Sequence, residues 1–329
     1  MSQIWLVVQQ EFRIRLRTGR WRWLIGAWVA LLAVFTVLLD LGLDTGYGYT
    51  RDDSLRGVPL FGFLMFFILG MMMVISPALT SQTINGDRER GTLATLQVTR
   101  LRPVEIAVGK LVAGWGVGLL ALLLSLPFTL YAMSRGGITV LRVLATYAVV
   151  ALLIGVVCAV SQALSALLAR SITSALLSYV TVAALSIGTV IAFALVLPFT
   201  REHVTVEPPQ GQSFETSVEH QERIWWLVAP NPFVVLADSA PRVPRRFDVQ
   251  GDVIYVDDYD PLSSIGNEVR RLRQPQRFYY FEEPPDEEDL PVWPYGLGIN
   301  VLLGIGAVAL TTYRLRTPTN RLPRGVRVA

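Results

Sequence analysis

The sequence predicts an all-α membrane protein with six transmembrane helices, and three observations carry that prediction. The 329-residue chain is 52% hydrophobic and only 17% charged, against about a quarter charged in soluble domains. Six runs along it are free, or nearly free, of charge over the length needed to cross a bilayer. Its basic residues gather near the ends of those runs. A helix needs about 20 apolar residues to span. In lipid the backbone must satisfy its own hydrogen bonds, so each run is expected to be helical. Too little polar surface remains to cover six such helices inside a soluble protein.

The elements follow in order. Residues 1–22 read as a cytoplasmic amphipathic helix in the membrane interface, its apolar side in lipid. Ile4, Val7 and Val8, then Phe12 and Leu16, recur at helical spacing, while Arg13, Arg17 and Arg20 share another face. The first span, 23–43, comes after an arginine-rich stretch and has no small-residue cleavage site behind it, the pattern of a retained span rather than a secretory signal. The other spans are placed at 58–84, 104–133, 139–169, 171–198 and 291–313. A short polar segment, 85–103, joins the second to the third. A long segment, 199–290, joins the fifth to the sixth, and 314–329 form a tail.

Six spans put both termini and the 85–103 segment on one side. The N-terminal tail carries Arg13, Arg15, Arg17, Arg20 and Arg22 against Glu11. The tail after the sixth span carries Arg314, Arg316, Arg321, Arg324 and Arg327 with no acid. The middle segment adds Arg88, Arg90, Arg100, Arg102 and Lys110. Basic residues accumulate in the cytoplasm, so this side is expected to be cytoplasmic and the protein to lie in the cell membrane. Arg135 and Arg142, near an outer loop, run against the trend and are outnumbered. Residues 201–289 then lie outside, where nine Arg against eighteen Asp and Glu give 9 − 18 = −9. Their acidic end, 282–289, reads as solvated. Residues 224–240, IWWLVAPNPFVVLADSA, are apolar but too short to span. They read either as an interfacial hairpin with Trp225 and Trp226 at headgroup level or as the packed core of the outer segment. Lys110 is the only lysine, and such arginine bias fits a GC-rich bacterial genome.

The spans lack ionisable residues near their middles, and Asp40 sits near an outer end. This argues against an ion-coupled carrier or channel. No Walker motif is present, so the chain has no P-loop of its own and uphill transport would need another polypeptide's ATP. Cys158 is the single cysteine and reads as a packing residue. His203 and His220 lack companions at metal-ligand spacing. No nucleophile–base constellation marks an enzyme, and no nucleic-acid partner is expected. Ala151, Gly155, Ala159 and Ala163 recur every four residues along the fourth span, either as a sliding interface or as static close packing. Phe61, Phe63, Phe66 and Phe67, then Met71, Met72 and Met73, give the second span a soft lining, for lipid or for varied apolar ligands. Thr181, Ser186 and Thr189 in the fifth could face a path or bond back to their own helix.

The most structured polar stretch is GDRERGTLATLQVTRLRPVEIAVGK, 86–110. Gly91 permits a sharp change of direction, Thr92 is a good N-cap, and Leu93 and Leu96 give the helix behind it an apolar edge. Pro103 suits the first position of the next helix, with Glu105 in its first turn. An apolar edge exposed to water beside charges suits docking into a partner's groove.

Glu89-Arg90-Gly91-Thr92-Leu93, followed by Pro103, Glu105-Ile106 and Gly109-Lys110, resembles the signature of membrane (permease) subunits of type-2 ABC transporters. The six-span layout, the N-terminal helix and the large outer segment extend the likeness, and Asn231-Pro232-Phe233 resembles a recurring element of that family's outer segment. The resemblance implies that the short helix is a cytoplasmic coupling helix seated in a groove of a separate ATPase subunit. Carried over by position, Glu89, Arg90, Gly91, Thr92, Leu93 and Leu96 form that contact, with Asp87, Arg88, Glu105 and Lys110 completing the coupling segment. It also implies a working unit of two permease subunits, identical or related, and two ATPase copies. Those ATPase copies bind ATP and Mg, and this chain binds no cofactor. The expected activity is export of a hydrophobic or amphipathic solute (a drug, lipid or peptide) along a path lined by Phe63, Phe66, Phe67, Met71, Thr181, Ser186 and Thr189. The alternative readings are a non-transporting sensor or assembly protein whose segment 199–290 binds a ligand, and a carrier without an ATPase.

Overall fold

Six helices in the computed structural model are long and apolar enough to cross a membrane, as a multi-pass all-α membrane protein requires. The structure describes residues 4, 5, 7–9, 11, 20–45, 55–93, 102–206, 214–243, 246–247, 253–254, 260–274 and 290–316. The helices are α1 (Arg20–Thr45), α2 (Gly57–Thr80), α3 (Asn85–Glu89), α4 (Pro103–Leu124), α5 (Leu126–Ser134), α6 (Val140–Leu167), α7 (Ser171–Ala183), α8 (Thr189–Val196), α9 (Pro232–Ser239), α10 (Pro261–Arg271) and α11 (Trp293–Arg316). They divide between two units, Met1–Val182 with Asn300–Ala329, and Ala183–Ile299.

In the first unit α2 is the centre. Leu60, Phe61, Leu64, Met65, Ile68, Leu69 and Met72 are fully buried, and α2 packs against α1, α4, α5 and α6. Close approach is paid for with glycine on α4. A Cβ on Gly114 would meet Thr80 of α2 at 2.5 Å, and one on Gly118 would meet Ile154 of α6 at 2.7 Å. The third span, expected as one helix over 104–133, breaks at Ser125 between α4 and α5. Pro127, which has no N–H to give, follows the break. The Ser125 hydroxyl donates to the Leu122 carbonyl at 2.6 Å, and Ser125 and Thr129 flank the Tyr147 hydroxyl at 2.9 and 3.0 Å. At the ends of α1 and α5, Asp40 pairs with Arg135 at 3.0 Å and accepts from the Tyr131 hydroxyl at 2.7 Å. One of the two arginines that ran against the charge asymmetry therefore has its counter-ion close by. The small-residue stripe of α6 is closely packed: Ala159 and Ala163 cluster with Ala307 of α11, and Gly155 lies under Trp115, whose indole N–H donates to the Ala151 carbonyl at 2.8 Å.

The second unit departs from a purely helical outer segment. β1 (Arg201–Val206) and β2 (Phe214–Glu219) pair antiparallel from Arg201↔Glu219 to Val206↔Phe214, and β3 (Arg246–Phe247) pairs with β4 (Val253–Ile254). Within residues 224–240, Val228, Ala229 and Val234 are buried with Val269 and Val292, and Phe193, Trp225 and Leu272 pack around them, an arrangement that both readings of this stretch allow. Arg273 stacks on Trp225 and Tyr295, 4.8 and 5.2 Å from their ring centres. The buried carboxylate of Asp238 accepts from the backbone N–H groups of Val292 (2.7 Å) and Trp293 (2.6 Å), capping the start of α11, and pairs with Arg270. The acidic run 282–289 lies outside the described residues.

On the hairpin, Arg223 donates to Glu202 at 2.6 Å and holds its carboxyl below the usual glutamate range, with His220 adding to the effect. A depressed carboxylate contributes stability above its unfolded-state pKa and loses it as pH falls through the folded value. Glu202 is therefore expected to titrate below an ordinary glutamate by NMR, and Arg223→Gln to move its midpoint upward. An unchanged midpoint in the variant would show that Arg223 is not the cause.

Candidate functional site

The polar segment after α2 is fastened on both sides. α2 ends at Thr80, a turn follows, and α3 runs from Asn85 to Glu89. The side chain of Ser165 on α6 accepts from the Ile84 and Asn85 N–H groups, at 3.1 Å each, and so satisfies donors at the start of α3. Ser174 donates to the Ser81 carbonyl at 2.7 Å. Glu89 accepts from the hydroxyl of Ser171 (2.8 Å) and its N–H (3.3 Å), which puts a carboxylate at the N-terminus of α7. Arg88 reaches the Leu168 carbonyl at 3.4 Å. The segment thus abuts the α6–α7 connection through four side chains.

The other side is an ionic clamp. Lys110, about 10 Å along α4 from Pro103 at 1.5 Å per residue, is 1% exposed. Its ammonium lies 2.5 Å from Glu11 of the N-terminal helix and 2.5 Å from Asp87 of α3, and Arg90 meets the second Asp87 oxygen at 3.1 Å. Two cations face two carboxylates, and a buried charge is tolerable only when paired in this way. Val7 of the N-terminal helix presses on Gly109, where a Cβ would come within 2.7 Å of the valine Cβ. Val7 and Val8 are buried, so at these positions the apolar edge packs on protein instead of entering lipid. Phe12, Arg13, Leu16 and Arg17 lie outside the described residues.

Glu105 lies in the first turn of α4 as expected, and it also caps the helix by accepting from the N–H of Arg102 at 2.7 Å. Gly91 takes a positive φ of 72°, the conformation glycine supplies without strain. The Thr92 hydroxyl donates back to the Asp87 carbonyl at 3.3 Å, and the N–H groups that a cap at Thr92 would serve lie outside the described residues. Leu93 differs from the expected water-facing edge: it is buried with Ile84, Ile106, Ala107, Ala166 and Leu315. The outward surface of the described segment is Glu89, Arg90, Gly91 and Thr92, all exposed. Leu96 lies outside the described residues.

The residues assigned to a path fall in different places. In the first unit Phe67 stacks on Phe35, ring centres 3.9 Å apart. Phe66 is half-buried and Phe63 is exposed. Met71 lines an apolar cavity of about 450 Å³ with Trp28, Val74, Val117 and Tyr179. Thr181 bonds back to Leu177 of its own helix at 2.8 Å. In the second unit a π-helical turn, Ala184–Gly188, separates α7 from α8. Such turns change the backbone pairing of a helix, and here the side-chain amide of Asn231 donates to the Ser186 carbonyl at 2.6 Å and to the Thr189 hydroxyl at 2.9 Å. Thr189 also bonds back to Leu185 at 3.0 Å.

Sequence reasoning missed Glu11, Ser165 and Ser171 as partners of the polar segment, and gave Asn231 no role. The readable signal for the first was Lys110, a lone cation in an apolar run. No protein-family model matches the chain, and no curated protein matches it.

Proposed function

We propose that the chain is the permease subunit of an ATP-driven transporter of the type-2 ABC kind, taking force from a separate ATPase subunit through residues 86–100. The observation that carries this reading is the exposed tip Glu89–Thr92 held on an immobilised base. The buried Lys110–Asp87–Glu11 cluster ties it to α4 and the N-terminal helix, and Glu89 with Arg88 ties it to the start of α7. A push on such a tip moves several membrane helices together, which is what coupling to an external motor requires. The apolar cavity at Met71 and Tyr179 touches α1, α2, α4 and α7, and it supports a hydrophobic or amphipathic cargo, exported by two copies of this chain or by this chain with a related one. α7, α8 and the π turn between them expose large apolar side chains, among them Ile172, Leu176, Ile187 and Leu195, available to lipid or to a second permease.

The test is co-purification. A P-loop ATPase encoded beside this chain is expected to be retained on it, and Arg90→Glu, which reverses an exposed charge, to weaken that retention at least tenfold while elution as a single species is preserved. Transport without any ATPase would sink the reading, and ligand capture by 199–290 without transport would favour a sensor.

A further inference from the structure

A second and larger apolar cavity, about 950 Å³, lies along the first unit between α4, α6 and the Asn300–Arg316 part of α11. Its walls include Trp115, Leu152, Val156, Val301, Ile305 and Val308, and its one charged lining residue is Arg316, at the end shared with Thr312 and Tyr313. The Thr312 hydroxyl is engaged with the Val308 carbonyl at 2.9 Å. From Val301 to Arg316 the helix rises about 22 Å at 1.5 Å per residue, more than half of a hydrocarbon core about 30 Å thick. The groove is therefore longer than the hydrocarbon depth of one leaflet, about 15 Å, and has the polarity of an amphiphile: apolar along its body, cationic at one end. Arg314 is exposed, does not line the groove and acts electrostatically on Arg88 instead.

We propose that this groove binds an anionic phospholipid, with an acyl chain lying along α6 and α11 and the phosphate held at Arg316. Basic pockets beside transmembrane helices select anionic headgroups, each nearby arginine contributing about 1 kcal/mol, or roughly fivefold in affinity. The site does not depend on the transporter reading. It does bear on the polar segment, because Leu315, next to Arg316, packs with Ile84, Leu93 and Ile106.

Native mass spectrometry of the full chain in detergent tests it, with phosphatidylglycerol and phosphatidylcholine of identical acyl chains added in equal amount. Phosphatidylglycerol is expected to be retained about fivefold over phosphatidylcholine. Arg316→Gln should abolish that preference while both lipids still bind. Ala309→Trp, which fills the groove from an exposed lining position, should abolish retention of both, and a single elution peak confirms that each variant folds. Equal retention by the unaltered chain, or a preference surviving Arg316→Gln, overturns the proposal. So does Ala309→Trp breaking self-association with lipid retention intact, which would give the groove to a second copy.

Discussion

Lys110→Met is expected to destabilise the Lys110 end of the first unit by about 3–5 kcal/mol, because removing the most deeply buried member of an ion cluster leaves an excess of negative charge behind. Glu11 and Asp87 would both lose their 2.5 Å partner while methionine keeps the volume. Hydrogen exchange should show it first, as lost protection in residues 4–11 and 85–93 with the centre of α2 unchanged. If the polar segment takes force from an ATPase, coupled transport falls in the same variant while ATPase binding at Glu89–Thr92 is retained, since that surface does not include Lys110. The combination Lys110→Met, Asp87→Asn and Glu11→Gln separates charge from shape. Replacing a whole buried cluster by neutral groups is often close to neutral, so it should recover most of the lost protection. If Lys110→Met exchanges like the unaltered chain, the clamp contributes nothing and the rigid base of the tip disappears with it.

What the sequence disclosed follows from how local each constraint is. The bilayer forces every span into about 20 apolar residues, and the six helices fall where composition placed them. Pro103 and Glu105 started α4 correctly because helix-start chemistry acts within four residues. Leu93 was misread because the side chains that bury it, Ile106 and Leu315, come from α4 and from the end of α11. The expectation of a water-facing edge came from a local pattern that could not see them. Lys110 was flagged as part of the coupling segment, but its partner Glu11 stands 99 residues away. The π turn at Ala184–Gly188 presents the Ser186 carbonyl to the amide of Asn231, 45 residues away, and no residue in ALSIG announces it. The second unit was least legible. Its strand pairs are short, and its core is drawn from an apolar stretch whose length fits an interfacial hairpin equally well.

Asp238→Ala is the second large effect, expected to cost about 3–5 kcal/mol within Ala183–Ile299. The side chain of Asp238 is wholly buried and does three things at once: it neutralises Arg270, and it caps two backbone N–H groups at the start of α11. Arg270 holds the pair in place by donating also to the Asp238 carbonyl at 2.9 Å, so alanine leaves a guanidinium, 14% exposed, beside an apolar core. Asp238→Asn distinguishes the two roles. It keeps an acceptor oxygen of the same shape but removes the charge, so the cap should survive in part and the loss should be smaller. The amides of Val292 and Trp293 report the cap directly by hydrogen exchange, and near-ultraviolet dichroism of the Trp225–Tyr295 contact, ring centres 5.2 Å apart, reports the core. Were the core signal lost in both variants with the two amides still protected, the charge alone would matter and the cap would be incidental. Were neither signal to move, the second unit would be held by its apolar cluster, and the buried pair would serve only to fix the angle at which the chain enters α11.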